Sequence, residues 1–267
     1  MAPVLFKIGP LTITAFYFFG IMASLSSLFI GIRLLSKKGF KTSELIYICV
    51  LWASVALIGA KLFKIIYYIL THFELFLKAP MLVLKNVLYM GSMFYGGLAG
   101  ALLFYLFFIR PRYKERALLI LDAGSVSTVF GQAVGRLGCF FSGCCFGKPT
   151  DLPWGVTFSK LSTKIHPYSH TAVHPTQLYE SVLNLISFII LLFVYRKRKF
   201  NGQIFYLYLV NYGLIRFFME YLRGDVDYII RGTSLLFSLT VFQLASLLLI
   251  SSGIFLYTRG NKSAKFP

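Results

Sequence analysis

GQAVGRLGCFFSGCCFG, residues 131–147, closes an apolar run that starts near residue 117. The stretch holds one arginine, Arg136, three of the chain's four cysteines and five glycines. An arginine at the end of a membrane-crossing segment needs a partner or a ligand, because a charge inside the bilayer costs ~2.5–3.5 kcal/mol on insertion scales. The only acid in the same run is Asp122, well upstream. Whether this run spans a bilayer therefore decides the fold and the meaning of Arg136.

Composition places it in lipid. Of the 267 residues, 57% are hydrophobic and 13% are charged, about half the ~25% typical of soluble proteins. Apolar runs lie near 11–32, 44–70, 91–109, 117–137, 175–195, 203–222 and 235–257. Each approaches the ~20 residues that cross a bilayer core as helix. The expected fold is all-α, a polytopic membrane protein with about seven transmembrane helices. It reads as a single integral membrane domain, 1–267.

The net charge of +18 comes from 27 basic and 9 acidic residues. Fifteen basic residues fall in four short segments, around Arg33–Lys41, Arg110–Arg116, Arg196–Lys199 and Arg259–Lys265. These follow the first, third, fifth and seventh runs, and the opposite connections are longer and hold eight. The positive-inside bias puts the four segments in the cytoplasm, the N-terminus outside and the C-terminus inside. The basic excess then reports topology, and nucleic-acid binding is not expected. Residues 1–10 carry one lysine, no charged leader and no small-residue cleavage site, so the first span is expected to be retained.

Between the spans, residues 71–90 are apolar but interrupted by Glu74, Lys78, Pro80 and Lys85, and read as an amphipathic element in the outer interface. Residues 138–174 form the longest external segment. His166, His170 and His174 repeat at four-residue spacing, as metal ligands on a helix do, but Pro167 and Pro175 argue against a helix there. Cys139, Cys144 and Cys145 could add ligands, although the adjacent pair would rarely serve one tetrahedral ion. A disulfide from Cys139 to either neighbour and free packed thiols remain alternatives. Cys49 reads as a small core residue.

Several polar groups sit where lipid is expected. Lys61 and Lys64 lie in the second run and either snorkel outward or bias the outer half toward an anion. Gly91, Gly96, Gly97 and Gly100 suggest a broken or tightly packed start to the third helix, with Tyr95 among them. Gln177, Tyr179 and Glu180 enter the fifth span, a costly arrangement if unpaired. Arg216, Glu220 and Arg223 share one face of the sixth helix. With Arg136 they make a positive cluster, and guanidinium groups suit phosphate. The glycines around Arg136 would then let a lipid headgroup approach the backbone.

Four motifs in order resemble the prolipoprotein diacylglyceryl transferase family: GSMFYGGLAG (91–100), GQAVGRLGCFFSGCCFG (131–147), HPTQLYE (174–180) and GLIRFFMEYLRGD (213–225). Asp122 also falls where the family usually has an aspartate. The resemblance implies a multi-pass enzyme of the bacterial cytoplasmic (inner) membrane, its active site facing the outer side. Such an enzyme moves the diacylglyceryl group of phosphatidylglycerol to the lipobox cysteine thiol of a prolipoprotein, forming a thioether. It implies Arg136, Arg216, Tyr95 and His174 as catalytic residues, and Arg136, Arg216, Arg223, Glu220, Gly96 and Gly97 around the headgroup. No cofactor and no metal are expected.

The chain departs from the family pattern at several positions. Tyr95 stands where histidine is common, Cys139 where asparagine is usual, and Cys144 near a common acidic position. Phe19 stands for the tyrosine before Gly20, and Lys61 for an arginine. A phenol with an ordinary pKa near 10 is a poor base at neutral pH, which leaves His174 as the candidate base. The roles of Cys139, Cys144, Cys145 and Lys61 stay open. The alternatives are a paralogous phospholipid-dependent transferase with another acceptor, or a lipid-binding or transport protein. Transport would favour inverted repeats, and no convincing repeat is present.

Overall fold

The computed structural model describes residues 4–8, 11–71, 73–78, 80–81, 94–158, 171–224 and 239–265. The chain opens with an antiparallel hairpin, β1 (Val4–Ile8) and β2 (Leu11–Thr14). Helices follow: α1 (Ala15–Ser36), α2 (Thr42–Thr71), α3 (Phe73–Lys78), α4 (Phe94–Phe104), α5 (Ala117–Ser142), α6 (Thr176–Arg196), α7 (Gln203–Leu222) and α8 (Val241–Lys265). The hairpin corrects the expected start of the first span, which is residue 15 and not 11. Its signal is alternation: Val4, Phe6 and Ile8, then Leu11 and Ile13, on either side of Gly9-Pro10.

Among the described residues, five helical stretches are long and apolar enough to cross a membrane: Ala15–Ser36, Thr42–Leu70, Gly96–Ser142, Thr176–Arg196 and Phe242–Lys262. The third contains both α4 and α5, joined by a π-type turn at Tyr105–Ile109 and the basic segment that follows. This is a multi-pass membrane protein.

Helix α6 shows how such a chain folds in lipid. Its buried face reads Gln177, Glu180, Asn184, Ser187 and Leu191, at helical spacing. Its exposed face reads Val182, Leu185, Ile186, Ile189, Ile190 and Phe193. A helix in water buries its apolar stripe. Here the solvent is hydrocarbon, so polar groups turn inward to find partners.

The chain forms two compact units, Leu35–Ala117 and the remainder. In the smaller unit, α2 and α4 pack through glycine. A Cβ on Gly59 would lie 2.6 Å from the Gly96 carbonyl, and one on Gly100 would lie 2.7 Å from the Val55 carbonyl. Gly96 also meets Gly59 and Phe63, and Gly97 lies against Ala56 and Ala60. Of the two expected readings of the glycine-rich start, tight packing holds. At one end of this unit, Tyr113 donates to Glu44 at 2.6 Å and Arg116 donates to the Lys38 carbonyl at 2.7 Å. The two basic connections of the unit therefore lie together.

In the larger unit, α5 is the central helix. Gly131, Gly135 and Gly138 form one face, and α1 fills it. Gly131 meets Ser27, Gly135 lies 3.9 Å from Ala23 Cβ, and Gly138 lies 3.0 Å from Phe19 Cβ, each measured from a built Cβ. Ser27 also donates to the Ser127 carbonyl at 3.0 Å. The expectation that these glycines open the backbone to a headgroup is therefore corrected: they are a helix-packing seam. Gly213 on α7 and Gly253 on α8 make a second seam, against Ile250 and Tyr206–Val210.

Candidate functional site

Asp122 and Arg136 lie fourteen residues apart on α5, about 21 Å at 1.5 Å per residue. They serve opposite ends of the bundle. Asp122 is fully buried. Its carboxylate accepts the backbone N–H groups of Gly202 (2.8 Å), Ile204 (2.9 Å) and Phe205 (3.0 Å). It therefore caps the N-terminus of α7 from a neighbouring helix, where unpaired N–H groups and the dipole favour an anion. Phe200 packs on Tyr257 at the same end, so the basic segments after α6 and at the end of α8 share it.

At the other end, three helices bring their charges together. Arg136 on α5 pairs with Glu180 on α6. The other oxygen of Glu180 lies 3.9 Å from Arg216 Nη1 on α7. Arg216 Nη2 lies 2.8 Å from Glu220 Oε2, one turn along the same helix. Thr240 then donates its hydroxyl to Glu220 Oε1 at 2.9 Å.

Thr240 holds that hydroxyl in place as the N-cap of α8. Its oxygen accepts the Gln243 N–H (3.2 Å) while Gln243 Oε1 accepts the Thr240 N–H (3.1 Å), a reciprocal capping box. The Arg216 guanidinium also stacks 4.5 Å from the Phe242 ring centroid. Glu180 and Glu220 are buried, Arg216 nearly so, and Arg136 keeps about a fifth of its side chain exposed.

With Arg223, the described residues of the cluster are three guanidinium groups and two carboxylates, a surplus of one positive charge among them. Arg216 Nη1 is buried without a hydrogen-bond partner among the described residues. A buried donor of that kind is expensive, and a phosphate oxygen is the acceptor it fits best. Tyr212 is close enough to Arg216, Arg136 and Glu180 to interact with their charges. Tyr208, behind it, accepts from Gln132 Nε2 at 3.1 Å.

Arg223 is set by the loop after α5. Gly147 and Arg223 form a backbone bridge, Lys148 donates to the Leu222 carbonyl (2.8 Å) and Gly224 to the Phe146 carbonyl (3.0 Å). Gly147 is required there. A Cβ would lie 2.6 Å from His174 Cβ, 2.7 Å from the His174 carbonyl and 2.9 Å from the Leu222 carbonyl. Phe146, Phe158 and Val173 form a small core beneath, with Phe140 and Val156 against it.

His174 is half-buried beside this loop. Its Nδ1 lies 3.4 Å from the Tyr179 hydroxyl, which also accepts from Trp154 Nε1 at 2.7 Å. His166 and His170 lie outside the described residues. Tyr95 lies in the first turn of α4, and Lys61 is half-buried on α2; both belong to the smaller unit.

The cysteines converge. The sulfur atoms of Cys139, Cys144 and Cys145 all lie within 4.8 Å of one another, and all are free thiols. Left-handed backbone at Gly143 (φ 69°) and Cys145 (φ 61°) folds the chain back onto the end of α5. Hydrogen bonds from the other two thiols, then the Arg223 and Arg136 charges, hold the Cys145 thiol below the usual thiol range, and the same shared hydrogen bonds push the Cys144 thiol above it. Cys49, in contrast, is exposed on α2, so it is not a core residue.

Sequence reasoning placed Arg136, Arg216, Glu220 and Arg223, and the structure brings Arg136, Arg216 and Glu220 into one network. It noted Glu180 only as a polar group that needs a partner, and passed over Thr240, Gln243, Tyr208 and Tyr212. The signal for Glu180 was a carboxylate on an apolar helix, five residues after Pro175.

Comparison with known proteins follows the same line. The family model for prolipoprotein diacylglyceryl transferase matches residues 3–259. A Clostridium tetani protein named phosphatidylglycerol–prolipoprotein diacylglyceryl transferase is 34% identical over 261 residues, covering 96% of this chain and 97% of that one. Proteins of the same name from Finegoldia magna and Prochlorococcus marinus strain NATL2A are 31% and 32% identical, covering 87% and 94% of this chain and 85% and 88% of theirs.

Proposed function

Because the chain belongs to the prolipoprotein diacylglyceryl transferase family, we propose that it transfers the diacylglyceryl group of phosphatidylglycerol to the lipobox cysteine thiol of prolipoproteins. The observation that carries this reading is the buried network of Arg136, Glu180, Arg216 and Glu220, to which Arg223 adds one positive charge, with a guanidinium donor unsatisfied among the described residues. In the reaction the substrate thiolate forms a carbon–sulfur bond as the carbon–oxygen bond to phosphate breaks. The electron pair leaves on the phosphate, as glycerol phosphate. Guanidinium groups fixed beforehand stabilise that charge as it develops. Glu180 and Glu220 orient Arg136 and Arg216 and, with Arg223 counted, hold the surplus to a single charge, enough for a phosphodiester.

His174 and Tyr179, with Trp154 fixing the hydroxyl, are the groups through which the thiol proton would leave. Tyr95 would donate or relay a proton to the leaving phosphate. Seven spans in a single membrane domain fit the helices α1, α2, α4, α5, α6, α7 and α8. In this reading α7 crosses as the polar interior helix. The clustering of basic segments within each unit supports a cytoplasmic placement for them. The C-terminus is then inside, the N-terminus outside, segments 71–90 and 138–174 are external, and the arginine network faces the outer side of the bacterial cytoplasmic membrane.

The test is in vitro transfer from labelled phosphatidylglycerol to a lipobox peptide. Arg136→Ala and Arg216→Ala should each abolish labelling per folded molecule; full activity in both overturns the proposal. The substitutions at Tyr95 and Cys139 motivate a second reading, a paralogous transferase with another acceptor. Rescue of a strain depleted of its own transferase rules that reading out.

A further inference from the structure

The three converging cysteines are not used by the chemistry above, since the nucleophilic thiol belongs to the substrate. We propose that Cys139, Cys144 and Cys145 form a binding site for a thiophilic d10 cation of the zinc class, held by three thiolates at the outer end of α5. The geometry points to an ion more than to a disulfide. Zinc–sulfur bonds of ~2.3 Å set sulfur–sulfur edges at about 3.8–4.0 Å. The three sulfur atoms already lie within 4.8 Å of one another, so side-chain rotation of under about 1 Å closes the set. A disulfide needs ~2.05 Å and could use only two of the three.

The adjacency of Cys144 and Cys145 is the obvious objection, and the backbone answers it. Positive φ at Gly143 and at Cys145 turns the chain so that neighbouring thiols face the same point as Cys139. A non-glycine residue in that conformation is uncommon and costs about 1–3 kcal/mol. Here it is part of the turn that assembles the sulfur triangle.

The charge also fits. Three thiolates and one divalent cation leave one negative charge. Arg136 and Arg223 both face Cys145 closely enough to interact with it, and their network has one positive charge in excess. Soft sulfur ligands select zinc and Cu(I) over magnesium or calcium. A bound ion would tie the end of α5 to the turn whose carbonyls hold α6, because Thr176 and Gln177 donate to the Cys145 and Cys144 carbonyls at 2.7 Å each. It would therefore fix the register between Arg136 and Glu180.

The test uses reduced, full-length protein in detergent, titrated with cadmium(II) as a spectroscopic stand-in for zinc. The expected result is a thiolate-to-metal charge-transfer band that saturates at one ion per chain. Thiols open to alkylation should fall from four to one, and peptide mapping should identify that one as Cys49. Zinc should displace the band, and Cys49→Ser should leave it unchanged. Cys139→Ser and Cys144→Ser should each abolish stoichiometric binding. Equal alkylation of all four thiols with and without cadmium overturns the proposal. So does a band that survives when Cys139, Cys144 and Cys145 are all serine. The alkylation result comes from the unmodified chain, so it stands even where a variant fails to fold.

Discussion

Replacing Glu180 by glutamine tests the network at its centre. Among the described residues, Glu180 is the one carboxylate that pairs with two arginines from different helices, Arg136 and Arg216. Glutamine keeps the size and one acceptor oxygen but removes the charge. At 3.9 Å from Arg216, the lost attraction is ~4 kcal/mol at an effective dielectric of 20. Relief of the carboxylate's own desolvation offsets part of this. Breaking one member of a buried ion pair typically costs ~3–5 kcal/mol, because the partner is left uncompensated. The expected net loss is ~3 kcal/mol, or a melting temperature lower by ~6–12 °C at 2–4 °C per kcal/mol.

Catalysis should fall further than folding. The surplus positive charge of the cluster doubles, so phosphatidylglycerol should bind at least as well. The arginines lose their fixed orientation, however, and kcat should drop by about tenfold or more, since each 1.36 kcal/mol of lost transition-state stabilisation is one such factor. The assay is thermal unfolding in detergent together with kcat and KM for labelling of a lipobox peptide. A Glu180→Gln protein with unchanged melting temperature and unchanged kcat would refute the assignment of Glu180 as the shared anchor. A double-mutant cycle with Arg216→Gln should return a coupling of ~0.5–3 kcal/mol, and zero coupling would count equally against it.

Other substitutions probe the supports of the site. Asp122→Leu removes the acceptor of three backbone N–H groups at the start of α7; it should cost ~3 kcal/mol or more, read as a fall in melting temperature. Thr240→Val breaks both the capping box and the hydrogen bond to Glu220 and should cost ~1–2 kcal/mol; Thr240→Ser should restore most of it in the same melt. Gly147→Ala meets backbone on two sides, so it should open the loop, seen as faster proteolysis between α5 and α6 and loss of transfer. Tyr95→Phe should lower kcat without changing the melting temperature if the phenol handles a proton, and equal kcat would remove Tyr95 from the mechanism.

The helices of the larger unit were legible because lipid demands uninterrupted apolar runs. The sixth run, 203–222, coincides with α7, and Pro175 marked the start of α6. The charged residues of α7 could be read for the same reason: an arginine or glutamate within such a run is conspicuous. Their partners were less visible. Glu180 lies forty-four residues from Arg136, and nothing local says which arginine it meets. Gly131, Gly135 and Gly138 could have faced a ligand or a helix, and only the placement of α1 decides. The cysteine triangle depends on two left-handed residues, one of them not glycine, which no spacing rule reveals. The hairpin was hidden because its apolar alternation ran into the first span.

The two ends of α5 also constrain how the protein is made. Asp122 and Arg136 leave the ribosome before any of their partners. The donors for Asp122 come from residues 202–205, and the partner of Arg136 is residue 180. During synthesis α5 must therefore wait at the membrane, Arg136 for some forty-four residues and Asp122 for some eighty, before their partners emerge. That interval is a window for assistance or for failure. Ribosome-bound chains ending before residue 200 should hold α5 poorly inserted and open to degradation, and longer chains should lock it in place.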